Sequence, residues 1–236
     1  MLRNNEQLIR FHNLAEDCLL ISWPPKIELV TAQEVDQLAT SLRGINGIVE
    51  TVPAYASLAV YYDPSVLNEA QLQPIVVKRR ENLSTNTSEK VVWEIPLCYD
   101  LTFGLDQATV CATAGINHTE FIKMHSTITF TVFMRGFQPG FLYLGNLPEQ
   151  LRAPRLSQPR TAVPAGSVAI ADNQIGIYPL QSPGGWNIIG RTPAKLFDVS
   201  SDVLSPVNQG DKVRFKPISI EEYHQLKKLD NAPSQV

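Results

Sequence analysis

His125, Arg155, Arg160, Gln174 and Tyr178 are the side chains of this sequence whose type and setting best suit chemistry. His125 stands at a helix-to-strand transition, immediately before Ser126. With an ordinary pKa near ~6.5, its imidazole can exchange a proton or orient a polar substrate. The competing reading is a histidine that donates one ring proton to a carbonyl. Arg155 and Arg160 each follow a proline in P-R-L-S-Q-P-R. Proline restricts the backbone behind each guanidinium, which can clamp a carboxylate or phosphate with two aligned donors. Either arginine can equally tie two loops together through a carbonyl or an acidic side chain. Gln174 can read an amide, while Tyr178 and Trp186 can wall a flat ligand or pack in a core. Gly136-Phe137-Gln138-Pro139-Gly140-Phe141 reads as a rigid loop whose amides can accept an oxyanion, or as a loop whose two aromatics pack onto a barrel.

Other chemistries lack their residues. There is no G-x-x-x-x-G-K-[ST] and no strand–G-x-G-x-x-G–helix, so neither a P-loop nor a dinucleotide fingerprint is present. Ser126, Ser167 and Ser182 sit in no G-x-S-x-G elbow, and Asp172 and Asp198 form no paired-carboxylate constellation. His12, His118, His125 and His224 are scattered, and Cys18, Cys98 and Cys111 show no C-x-x-C spacing, so no metal site is expected and the thiols read as reduced. A formal charge of -3 gives no general electrostatic reason to bind nucleic acid or an anionic membrane. Locally the balance reverses: no acidic residue lies between Glu149 and Asp172, where Arg152, Arg155 and Arg160 fall. Asn4, Asn5, Glu6 and Gln7 interrupt any export signal, and no segment approaches the about 20 apolar residues of a spanning helix. A cytoplasmic protein is expected.

Two groups of elements have to position these side chains. Through about Lys90 the pattern is βαββα. A hairpin or bent strand falls in Ile9 to Ile21, and a helix follows Thr31, which stands at capping-box spacing from Glu34. Strands at Ile48–Val52 and Ser57–Tyr62 precede a second helix around Ser65 to Arg80, interrupted by Pro74. Glu81 to Lys90 lacks an apolar period and reads as a linker. Beyond it come a strand at Val91–Cys98 and two short helices, the second capped by Asn117 and Glu120. Ser126 to Met134 alternates Thr with Ile, Phe, Val and Phe, as a half-buried strand does. Short strands at Val168–Ala171, Gly176–Tyr178, Trp186–Gly190 and Lys212–Phe215, separated by Gly/Pro turns, predict a closed or nearly closed β-barrel, followed by a helix over Glu221 to Asp230.

The ordered series Gly136 to Gly145, Pro154-Arg155, Pro159-Arg160, Val163-Pro164-Ala165-Gly166-Ser167, Ile175 to Pro179, Ser182-Pro183-Gly184-Gly185-Trp186 and Gly190-Arg191-Thr192-Pro193 resembles the KipI/allophanate-hydrolase-subunit-1 family, which includes the B component of ATP-dependent 5-oxoprolinase. The resemblance implies an α+β protein, with a small N-terminal α/β sandwich at 1–84 followed by a cyclophilin-like β-barrel domain at 85–236. It implies one member, inactive alone, of a complex that converts 5-oxo-L-proline to L-glutamate with ATP hydrolysis. The ATP is not expected to bind this chain alone, and the chain carries no biotin. The implied partners are an allophanate-hydrolase-subunit-2-like protein (the C component of 5-oxoprolinase), whose domain completes a composite cleft, and a lactam-utilisation-like A component. In that cleft His125 and Arg160 would be catalytic, and Arg155, Gln174 and Tyr178 would bind substrate. Two alternatives in the same family stay open: an inhibitor of a sensor histidine kinase, and an accessory protein of urea or allophanate metabolism. The sequence departs from its relatives at Pro96-Leu97-Cys98-Tyr99-Asp100, where they carry a glycine-containing turn, and at Leu142, where a proline is common before the tyrosine.

Overall fold

The computed structural model describes residues 8–83, 90–145, 147–229 and 232–235. Two compact units divide the chain, Met1–Ser88 and Glu89–Val236. In the first, β1 (Arg10–Ala15), β2 (Cys18–Ser22), α1 (Leu29–Leu42), β3 (Ile48–Pro53), β4 (Ser57–Tyr62) and α2 (Glu69–Glu81) follow one another. The four strands form an antiparallel sheet in the order β1-β2-β4-β3. Its core gathers Leu19, Ile21, Leu58 and Val60 from the strands and Val35, Leu38, Leu42, Leu72 and Val76 from the helices. Helix α1 starts two residues before Thr31, which is buried within it rather than capping it, and Glu28 caps with no side-chain bond. The apolar face begun at Thr31 and Ala32 carries the helix N-terminally, and Glu34 is drawn off to Trp23 Nε1 and Arg80. Helix α2 does open on a capping box. The Asn68 side chain accepts from Gln71 N, and the Gln71 side chain accepts from Asn68 N, each at 3.0 Å. Pro74 lies inside α2 and removes one helix donor, a loss the burial of Leu72 and Val76 outweighs. The linker read at Glu81 to Lys90 begins inside α2, and residues 84–89 lie outside the described ones.

The second unit contains β5 (Val92–Cys98), α3 (Gln107–Ala114), α4 (His118–Thr127), β6 (Thr129–Arg135), β7 (Leu142–Gly145), a 3-10 turn at Glu149–Leu151, β8 (Arg160–Val163), β9 (Ser167–Ala171), β10 (Gln174–Ile177), β11 (Ser182–Gly184), β12 (Asn187–Arg191), β13 (Lys212–Ile218), α5 (Ile220–Leu229) and β14 (Ser234–Gln235). Seven strands close into a barrel in the order β12-β9-β10-β7-β6-β13-β5, with β12 meeting β5 again at Arg191 and Cys98. The β5–β13 ladder is parallel, so the barrel is mixed. Strand β6 starts at Thr129, later than its alternation suggests. The Asn117–Glu120 capping box nucleates α4, which runs on through Thr127.

Alternation of side chains across the closed sheet makes two cores from one barrel. Trp93, Ile95, Leu97, Phe130, Val132, Leu142, Leu144, Val168, Ile170, Ile175, Ile177, Ile189, Val213 and Phe215 fill the interior. Phe141, Ala169, Ala171, Tyr178, Trp186 and Ile188 form a second cluster with Val163 of β8. Strands β8 and β11 pair only with each other, as a two-stranded sheet beside that cluster. Among the described residues, no helix is long and apolar enough to cross a membrane. The three cysteines are unpaired and buried.

Candidate functional site

The strongest convergence of aromatic and charged side chains is built on that second cluster. Strand β7 sends Leu142 and Leu144 into the barrel and Tyr143 to the other face, where its ring lies 5.8 Å from that of Trp186. Phe141 sits between, 4.6 Å from Tyr143, 4.9 Å from Tyr178 and 6.0 Å from Trp186, mostly edge-on. Close approach is possible because two neighbours are glycines. A Cβ on Gly176 would stand 2.6 Å from Phe141 and 2.8 Å from Trp186, and one on Gly184 would stand 2.5 Å from the Tyr178 hydroxyl. The Arg155 guanidinium lies over the Trp186 ring, 5.6 Å from its centroid. Arg155 is exposed on a surface whose other members are largely buried.

At the edge stands Phe137, the one large aromatic of the group left open, 61% exposed and held in left-handed backbone at φ 69°. A non-glycine residue there costs about 1–3 kcal/mol and persists only where surrounding contacts enforce it. Gln138 Nε2 donates to Leu180 O at 3.2 Å, and Phe137 meets the rings of Phe141 and Tyr178 edge-on. The turn's amides are largely used within it: Gly136 N donates to Phe141 O, Gln138 N to Gly136 O and Phe141 N to Gln138 O. The turn therefore presents aromatic surface rather than an oxyanion cradle.

Burial pushes the Tyr178 phenol up to about 12, with neighbouring Tyr143 adding to the rise and Arg155 opposing it. Tyr143 is also raised by burial and opposed by Arg155. Both phenols thus remain neutral at physiological pH. The groups this surface exposes, the Arg155 guanidinium and the Phe137 ring, suit a small planar anion: the cation takes the charge and the ring lies against the flat body, while the buried Tyr178 and Trp186 support them.

The other expected site residues stand elsewhere. His125 is fully buried in the barrel core, 2.7 Å through Nδ1 from the Tyr99 hydroxyl, and packed against Phe121, Phe130 and Phe215. Its Nε2 has no partner, and burial holds its pKa down to about 3. In this chain the imidazole expected to be catalytic is a neutral ring of the aromatic core, away from the surface that carries Arg155. Arg160 is engaged from the end that a ligand would use. Its Nη1 and Nη2 donate to the two carboxylate oxygens of Asp106 at 2.8 and 2.7 Å, and Asp106 Oδ2 also accepts from Ile188 N at 2.7 Å. This fork ties β8 to the start of α3 and to β12, so Arg160, expected to be catalytic, is engaged by Asp106 in this chain. Gln174 opens β10 opposite Ala171, on the face shared with Gly176 and Tyr178. Four strand residues, roughly 13 Å, separate it from Tyr178. Of the five residues, the structure brings together Arg155 and Tyr178.

Tyr143, Asn187 and Asp106 are the contributors that sequence reasoning passed over. Tyr143 had a signal, as the outward member of Leu-Tyr-Leu in a strand. So did Asn187, a lone amide in the apolar run W-N-I-I, where a buried polar group needs partners. Asp106 had none, because its partners lie 54 and 82 residues away. Among the described residues, no group of three or more His, Cys, Asp or Glu is placed to hold a metal ion.

Fold and site together define a two-unit α+β protein whose mixed barrel carries an aromatic surface topped by one arginine. The family model described as carboxyltransferase domain, subdomain C and D, matches residues 9–207. The chain is 35% identical over 212 residues to the 5-oxoprolinase B subunit of Escherichia coli O157:H7, covering 89% of this chain and 97% of that protein. It is 38% identical over 196 residues to the 5-oxoprolinase B subunit of Bacillus subtilis (strain 168), covering 78% and 82% respectively. The crystal structure of TTHA0988 matches with a TM-score of 0.76 at 31% identity over 90% of this chain, which spans only 40% of that longer one. The chain belongs to the KipI-like carboxyltransferase-domain family, of which the 5-oxoprolinase B subunits are members.

Proposed function

We propose that this chain is the B subunit of an ATP-dependent 5-oxoprolinase that opens the lactam of 5-oxo-L-proline to give L-glutamate in the cytoplasm, and that it is inactive alone. The observation that carries this reading is the match to the 5-oxoprolinase B subunit along 97% of the E. coli protein, which leaves little of that relative without a counterpart here. Its working partners in this reading are a C-type, allophanate-hydrolase-subunit-2-like protein and an A-type, lactam-utilisation-like protein. The presence of this fold as 40% of a longer chain supports a role beside further protein rather than in isolation.

The chemistry of the substrate suits the aromatic surface. 5-Oxo-L-proline carries one carboxylate next to a nearly planar amide ring. Arg155 holds the carboxylate and the exposed Phe137 ring lies against the lactam ring, on a floor of Trp186, Tyr178 and Tyr143. ATP is consumed by the complex, and no step through it is assigned to this chain. The test omits one component at a time from a mixture of the three purified proteins and measures phosphate release dependent on 5-oxo-L-proline. Activity should vanish without this chain. Full activity in its absence would reject the assignment.

A further inference from the structure

We propose that Asn187 is the positioning residue for Arg155, holding the guanidinium over Trp186 where a ligand carboxylate can meet it. This inference rests on the substrate-binding reading of Arg155 given above. The segment around Arg155 belongs to no strand of the barrel, yet three backbone groups on its two sides are fixed. Ala153 O accepts from Asp172 N at 2.7 Å. Pro154 O accepts from Asn187 Nδ2 at 2.7 Å. Leu156 N donates to Gly185 O at 2.8 Å. The last two bonds run to the residues on either side of Trp186. The peptide units flanking the arginine are thereby stapled to those flanking the indole, and the cation and the ring travel together.

Within this staple Asn187 supplies both N–H donors of one buried amide. It is 3% exposed, and its Nδ2 also donates to Ile170 O at 3.2 Å. A single amide group thus joins β12, β9 and the arginine segment, using both of its N–H donors. Aspartate would set a carboxylate against two carbonyls, and leucine would leave both carbonyls without this donor. Pro154 adds no donor of its own, so its carbonyl is the backbone group next to Arg155 by which the segment is held on that side.

The first measurement uses the isolated full-length chain and does not depend on any reaction. Lying over an indole shifts the Arg155 side-chain resonances upfield through the ring current, and loss of these signals in Arg155→Lys and of the shift in Trp186→Leu assigns them. In Asn187→Leu the Arg155 signals should move to ordinary positions while the fold is retained by circular dichroism. Asn187→Ala, which removes both donors without the bulk of leucine, gives the same reading if the leucine variant fails to fold. Arg155 signals that stay shifted in a folded variant would overturn the proposal. The second measurement uses the complex of all three proteins. Asn187→Leu should raise KM for 5-oxo-L-proline about tenfold with a far smaller fall in kcat, because the lost contact acts on substrate in its ground state. An unchanged KM would remove the link to substrate. A wild-type complex with no activity would reject the proposed function, while the ring-current result still decides the positioning.

Discussion

His125 illustrates how much a single residue's meaning depends on its surroundings. At neutral pH it is an uncharged ring in an aromatic core, held down to about 3 by burial from an ordinary value of 6.5. Below about 6.5 the unfolded chain takes up a proton that the native state refuses, so the stability His125 contributes is complete above that pH and is lost as pH falls towards 3. Urea midpoints at neutral pH and at about pH 4.5 should therefore differ more in wild type than in a His125→Phe, Tyr99→Phe double variant. An equal acid loss in both would count against this origin. Arg160 offers the complementary case. Arg160→Ala strips Asp106 of its counter-charge while leaving the carboxylate largely buried, and should cost about 1–3 kcal/mol in denaturant unfolding. Arg160→Lys keeps the charge without the fork and should fall between.

Among the elements, β7 and β10 matter most, because their outward residues build the aromatic surface on an apolar barrel. Gly176 is opposite Tyr143 in that pairing. A methyl group there meets Phe141 and Trp186 well inside normal contact. Gly176→Ala should displace both rings, destabilise the second unit by about 1–3 kcal/mol, and change tryptophan emission. Wild-type emission in a variant of unchanged stability would mean that the rings are not packed as described. Strands β8 and β11 show what punctuation by Pro and Gly achieves: a sheet of two short strands that is joined to the barrel region through the Asp106 fork.

At the scale of the whole molecule, the core of the first unit is separate from the two of the barrel unit, which implies two separately sensitive units. Leu58 belongs to the first core and Ile170 to the interior of the barrel, and each is fully buried. Truncating either to alanine should cost about 2–5 kcal/mol. Hydrogen exchange should rise chiefly in the unit that carries the substitution. Equal loss of protection in both units from either change would show that they unfold together.

The order of elements, the barrel and the family motifs were legible in the sequence because alternation, capping boxes and Gly/Pro turns are local signals. Asn68 with Gln71, Asn117 with Glu120, and the Thr-Phe alternation of β6 act over a few residues. The Thr31 cap failed although its spacing was right, since burial along the helix face outweighed a local side-chain bond. Site membership was harder to read. Arg155 and Arg160 look alike in P-R-L-S-Q-P-R, and the difference between them is made by distant residues. Asp106 claims one guanidinium, whereas Asn187 and Gly185 hold the other's backbone against Trp186. Only the closure of the barrel brings those groups within hydrogen-bond range, and hydrogen bonds and ring contacts fall off too steeply with distance for chain spacing to foretell them.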